Sequence, residues 1–134
     1  MTFSSFRLFY ILILNLCLIL SVQANQLDLS QRSNLKPSET IHLDSEHVLL
    51  LDVRTQREWD AGRIKGAVHL PLKDFKAKLT EIVPDKTQQV VIYCSKGGRA
   101  IAAAKYMNNL GYHAVPVVKG GYSQMLSAGL KNSD

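Results

Sequence analysis

Cysteine is nearly absent from this chain, which carries only Cys17 and Cys94 among 134 residues. So few thiols exclude a disulfide framework of the kind that staples small secreted folds. Metal ligands do not fill the gap. His42, His47, His69 and His113 stand at no ligand spacing with Cys94, so no metal and no cofactor is expected. A basic run interleaved with aromatics is also missing. The net charge of +5 is scattered, which leaves nucleic-acid binding without support. The modest basicity suits small anionic ligands or an anionic envelope surface. No internal repeat or low-complexity segment stands out. Nor is there a long membrane span: the apolar stretch Leu8 to Leu20, broken only by Asn15, falls short of the ~20 residues a spanning helix needs.

That stretch has another use. It follows Arg7, the only charge before Asp28, and leads into Ser21-Val22-Gln23-Ala24, with small residues where a signal peptidase reads. Charge, apolar run and small residues in that order predict a secretory signal peptide over 1–24, cleaved after Ala24. An uncleaved membrane anchor is the alternative. Cys17 does not read as a lipidated cysteine, because Leu16 before it is too large. Cleavage leaves Cys94 as the sole thiol of an exported, periplasmic chain with no stable membrane insertion. A leftover cysteine in such a compartment is a reactive thiol or an intermolecular partner. A monomer is expected.

Residues 25–45 read as an N-terminal arm or linker, 46–130 as one domain and 131–134 as a tail. Within the domain, strand and helix signals alternate. Val48-Leu49-Leu50-Leu51-Asp52 is a short continuous apolar run, as in a strand buried on both faces. Thr55-Gln56-Arg57-Glu58 has the form of a capping box and predicts a helix start, ended by Gly62. Ala67 to Leu70 reads as a strand. Pro71 opens a helix with Leu72, Phe75, Leu79 and Ile82 on one face. Val90 to Tyr93 is the next strand, and Arg99 to Leu110 the next helix, capped by Gly111. Ala114 to Val118 reads as a last strand. Its Pro116 cannot donate to a ladder, which predicts an edge or a bulge. Gly120-Gly121 turns into a short helix near Tyr122 to Ala128. Such alternation predicts an α/β fold, a parallel sheet of four to five strands with helices on both faces.

Cys94 ends the apolar run Val90 to Tyr93 and opens Ser95-Lys96-Gly97-Gly98-Arg99, just before a helix. In parallel sheets ligands bind outside the strand C-terminal ends, where this thiol falls. Backbone N–H groups and the positive end of a helix dipole converge there, and surroundings of that kind favour a reactive thiolate. Lys96 and Arg99 act in the same direction and attract an anion. Cys94 is therefore the candidate nucleophile, and Ser95, Lys96, Gly97, Gly98 and Arg99 are the candidate substrate-binding loop. Asp52, Arg54 and Glu58 read as structural support for the loop region, with Arg54 pairing to Glu58. Trp59 reads as a core or rim anchor, and His69 as a strand histidine rather than a base.

These residues resemble a known family. Leu50-Leu51-Asp52-Val53-Arg54, Glu58-Trp59, Gly62-Arg63-Ile64-Lys65-Gly66-Ala67 and Leu70-Pro71 are similar to the first signature of the rhodaneses. Cys94-Ser95-Lys96-Gly97-Gly98-Arg99-Ala100 is similar to their active-site loop, and Gly120-Gly121-Tyr122 to their last strand-to-helix turn. The short chain with its leader most resembles the single-domain periplasmic rhodaneses. The resemblance implies a rhodanese-like fold and a sulfurtransferase. A cysteine takes the outer sulfur of thiosulfate as a persulfide, releases sulfite, and passes the sulfur to cyanide or another thiophilic acceptor. Its partners are thus a small anionic sulfur donor and a thiophilic acceptor. Two positions depart from the family pattern: Ala100 stands where many members have Ser or Thr, and Arg63 where His is usual. A short N-terminal region implies that the family's first strand is missing, which makes the last strand an edge.

Two other functions stay open. One is a non-enzymatic persulfide carrier or a module binding an anion or a protein. The other is a phosphatase or arsenate reductase, which the resemblance disfavours. Enzymes of that kind have a longer loop, whereas only Ser95, Lys96, Gly97 and Gly98 separate Cys94 from Arg99.

Overall fold

The computed structural model describes residues 27–113 and 115–133. The segment 1–24, read as a leader, lies outside them. Five strands, all parallel, organise the chain: β1 (Asn34–Leu35), β2 (Val48–Asp52), β4 (Val68–His69), β5 (Gln89–Tyr93) and β6 (Val117–Val118). Their spatial order is β1-β6-β5-β2-β4. A separate antiparallel pair joins β3 (Arg63–Ile64) to β7 (Asn132–Ser133). The α-helices are α1 (Gln56–Asp60), α2 (Phe75–Ile82), α3 (Gly98–Asn109) and α4 (Tyr122–Ser127), with 3-10 turns at Pro37–His42 and Leu72–Asp74.

The α/β parallel architecture is the one expected, and β5 shows why an unbroken apolar strand requires it. Successive strand side chains point to opposite faces. Val90, Ile92 and Cys94 face a cluster holding Phe75 and Leu79 of α2 and Ala103 and Met107 of α3. Val91 and Tyr93 face the other cluster, with Leu29, Leu35, Ile64, Val118 and Met125. Both faces are therefore covered. Burial follows the expected helical spacing: Phe75 and Leu79 in α2, and Ala100, Ala103, Ala104 and Met107 in α3. Truncating Leu79 to Ala costs about 2–5 kcal/mol on this account. Local signals also hold at α1, where the Thr55 hydroxyl accepts from Glu58 N–H and the Glu58 carboxylate accepts from Thr55 N–H.

Three expectations are corrected at the sheet margins. The strand carrying Pro116 is not at the edge: β6 lies between β5 and β1. It is also only two residues long, so Pro116 precedes the ladder and its missing N–H costs nothing there. The Pro116 carbonyl still accepts from Ile92 N–H at 3.0 Å. The edge strand on that side of the sheet is β1, formed inside the segment read as an arm. Val117 N–H donates to Ser33 at 3.1 Å and Lys119 N–H to Leu35 at 2.9 Å. Leu29 and Leu35 of the same segment are buried. At the other end, the residues read as a tail supply β7, and Lys65 N–H donates to the Lys131 carbonyl at 2.9 Å. Among the described residues no helix is long and apolar enough to cross a membrane.

Candidate active site at the Cys94 loop

Strand β5 delivers Cys94 to the C-terminal end of the sheet centre, and the chain then folds back tightly. Gly97 takes a positive φ of 100°, which a side chain resists, and serves as the N-terminal cap of α3. This turn brings Gly97 N–H to 3.0 Å from Cys94 Sγ. The sulfur thus accepts a hydrogen bond at the start of a helix. Cys94 itself is buried, at 1% exposure, beneath the loop that follows it. Buried Ala100 lies beneath, within the same apolar cluster as Cys94.

The loop is held from two sides. From the β6–α4 turn, Tyr122 N–H donates to the Cys94 carbonyl at 2.8 Å. Gly121 presses against the same peptide: a Cβ there would lie 2.3 Å from the Cys94 carbonyl oxygen and 2.4 Å from that of Ser95. Only glycine fits. From α1, Glu58 reaches across to Arg99, which donates to both carboxylate oxygens at 2.7 and 2.8 Å. Ser95 Oγ donates to the same carboxylate and accepts from Arg99 Nη2 at 2.9 Å. The Arg99 guanidinium, with the Ser95 and Thr55 hydroxyls adding to it against partial burial, holds the Glu58 carboxyl far below the usual carboxylate range. Glu58 in turn raises Arg99.

Sequence reasoning paired Arg54 with Glu58, and the structure corrects this. Arg54 grips Asp52, with Nε 2.9 Å and Nη2 2.7 Å from Oδ2. Towards Glu58 it only donates to the backbone carbonyl, at 3.2 Å. Its remaining bond goes to the Gly62 carbonyl at 2.8 Å. The guanidinium also lies 3.9 Å from the centre of the Tyr122 ring. Burial opposes its charge, but the Asp52 bonds outweigh it and Arg54 is raised. Both members of this pair are almost wholly buried.

The structure therefore separates the two loop cations. Arg99, expected to face substrate, is occupied by Glu58 and Ser95. Lys96 is exposed at the loop. Trp59 stacks on His69 with ring centres 4.6 Å apart, and Arg63 lies over the Trp59 ring at 5.0 Å. His69 Nε2 donates to the Arg54 carbonyl at 2.9 Å, which gives that ring a structural partner. Sequence reasoning missed Tyr122 and Gly121 as loop supports, although Gly120-Gly121 marked the turn. His47 lies with Asp44 and Glu46 in a surface group whose ligand atoms fall within 4.8 Å of one another, sharing no residue with the loop. Two concavities of about 710 Å³ also lie apart from Cys94. Neither is lined by any residue of the Cys94 loop.

A parallel α/β domain with a strand-end thiol cradled by a glycine turn and a helix start is the class this fold and site define. Residues 40–128 match the rhodanese-like domain family, and the chain belongs to it. It is 40% identical over 78 residues to a sulfurtransferase of Allochromatium vinosum, covering 58% of this chain and 71% of that one. It is 32% identical over 62 residues to thiosulfate sulfurtransferase PspE of Escherichia coli, covering 46% of this chain and 60% of that one. Among solved structures, the human single-domain sulfurtransferase TSTD1 superposes with a TM-score of 0.61 at 25% identity, covering 71% of this chain and 96% of the human one.

Proposed function

We propose that the protein is a sulfurtransferase that carries sulfane sulfur on Cys94 from thiosulfate, or a similar donor, to cyanide or another thiophilic acceptor. The observation that carries this reading is the Gly97 N–H directed at Cys94 Sγ from the start of α3. The Cys94 thiolate attacks the outer sulfur of thiosulfate. The new S–S bond forms as the old one breaks, and sulfite leaves with the bonding electron pair. The terminal persulfide sulfur carries the negative charge beside the loop N–H groups, which favour it electrostatically. Cyanide then attacks that sulfur, thiocyanate departs, and the thiolate is restored. No proton is consumed in either half. This suits a site whose His69 has a structural partner. The exposed ammonium of Lys96 supplies attraction for the incoming dianion, while Ser95 and Arg99 hold the loop against Glu58.

The names of the Allochromatium and Escherichia relatives support the same chemistry. Export with cleavage after Ala24 is part of the proposal, and N-terminal sequencing from the native host should begin at Asn25. The test of the chemistry is intact mass after incubation with thiosulfate. The protein should gain one sulfur atom and lose it on adding cyanide, and Cys94→Ser should gain none. Sulfite release by Cys94→Ser at the wild-type rate would defeat the mechanism. A persulfide that resists cyanide but passes its sulfur once to a protein thiol, without turnover, would instead favour a carrier. Turnover of small aryl phosphates without any persulfide would favour the oxyanion enzymes.

A further inference from the structure

Asn132 belongs to residues 131–134, which the sequence marks as a tail. Its side chain nevertheless closes a loop of contacts that returns to Cys94. Tyr122 OH donates to Asn132 Oδ1 at 2.8 Å, and the N–H of the same tyrosine donates to the Cys94 carbonyl at 2.8 Å. Asn132 is fixed by its own strand, since β7 pairs Asn132 with Ile64 and Ser133 with Arg63. Gly62, just before β3, completes the seat. A Cβ at Gly62 would lie 2.7 Å from Tyr122 OH and 3.0 Å from Asn132 Oδ1, so the backbone sits directly against this bond. The Gly62 carbonyl accepts from Arg54, whose guanidinium covers the Tyr122 ring. Arg54 and the stacked Tyr93 hold the face of the ring, and Asn132 holds its hydroxyl.

From these contacts we infer that Asn132 is a positioning residue for Cys94, acting through Tyr122, and that β7 belongs to the machinery setting the thiol's surroundings. The physical route is short. The Cys94–Ser95 peptide rests on Gly121 with no room for a Cβ, so it follows any tilt of Tyr122. Turning that peptide changes the aim of the loop N–H groups, including the one Gly97 presents to the sulfur. Lost alignment lowers thiolate reactivity and persulfide stability without removing any group that meets the donor. The effect is therefore on kcat rather than on KM.

The kinetic half of this inference rests on the sulfur-transfer reading, so the deciding experiment also has a readout that does not. The rate of Cys94 alkylation by iodoacetamide, followed by mass mapping of the Cys94 peptide, is measured beside thiosulfate turnover. Losing one neutral hydrogen bond corresponds to about a fivefold change. Asn132→Leu should slow alkylation and lower kcat by about that factor with KM for thiosulfate unchanged. Asn132→Asp keeps an accepting oxygen and should recover most of both. Tyr122→Phe should match Asn132→Leu, and the double variant should be no worse than either. Wild-type alkylation in Asn132→Leu overturns the inference. So does failure of Asn132→Asp to recover, or a double variant whose losses multiply. If alkylation responds as stated but no thiosulfate turnover exists in any variant, the positioning role stands and the sulfur-transfer reading fails.

Discussion

Two arginine–carboxylate pairs flank the Cys94 loop, and they do different work. Asp52 and Arg54 are sealed in, at 0% and 3% side-chain exposure, while Glu58 and Arg99 each keep 32%. The sealed pair spends every guanidinium bond on Asp52 and on the backbone of Glu58 and Gly62, so it ties α1 and the approach to β3 to the end of β2. The half-open pair bridges α1 to the loop itself and is screened by water, which limits its worth to stability. Burial therefore sorts two guanidinium–carboxylate pairs into a fold-maker and a loop-setter.

The comparison is broken most severely at the buried pair. Arg54→Met leaves the Asp52 carboxylate without its cation, and removing one partner of a buried pair costs about 3–5 kcal/mol. Urea denaturation should show that loss. Asp52→Leu combined with Arg54→Met should regain a large share of it, because no uncompensated charge then remains. A loss below about 1 kcal/mol for Arg54→Met would mean that the pair is not sealed as described.

Glu58→Gln probes the half-open pair, and its signature is a pH dependence. The folded state holds this carboxyl below its ordinary value, so the wild type gains stability from it above the ordinary carboxylate range. That gain shrinks as pH falls below the range and is gone once pH has passed the depressed folded value. The difference in melting temperature between wild type and Glu58→Gln should be positive near pH 7 and narrow in acid. At neutral pH the stability change should be no more than about 1 kcal/mol, since the pair is a third exposed. Thiosulfate turnover should nevertheless fall, because Ser95 and Arg99 lose their common acceptor. A difference that widens in acid would reverse the assignment.

The smallest change is expected at Lys96. Lys96→Ala removes an exposed cation, so KM for thiosulfate should rise severalfold at low ionic strength and the difference should fade with salt. Stability should stay within about 0.5 kcal/mol. Equal effects of Lys96→Ala and Arg99→Ala on KM alone would erase the distinction between the two loop cations.

Some of this was legible in the sequence because its cause is local. The Thr55–Glu58 capping box, the apolar run of β5 and the glycines of the Cys94 loop each act within a few residues, and the structure keeps them in place. The partner of Glu58 was not legible. Arg54 stands four positions before it, a spacing that suggests a pair, whereas Arg99 is 41 positions away and arrives only when β5 lies beside β2. Strand β1 escaped notice because Asn34–Leu35 is two residues long in a polar segment, too short for any periodicity. Pro116 misled for a related reason: its effect depends on where the ladder starts, and the ladder starts one residue later.

The alternation along β5 bears on how the chain tolerates change in length. Cys94 shares a side of the sheet with Val90 and Ile92 only because an even number of steps separates them. Deleting or inserting one residue between Val90 and Tyr93 would swap odd for even and send the thiol toward Met125 on the far side. The turn at Pro84 to Gln88 upstream carries no such arithmetic, and added residues there leave the count intact. The position of the thiol is thus written in the parity of one strand, and length variation is tolerable only outside it.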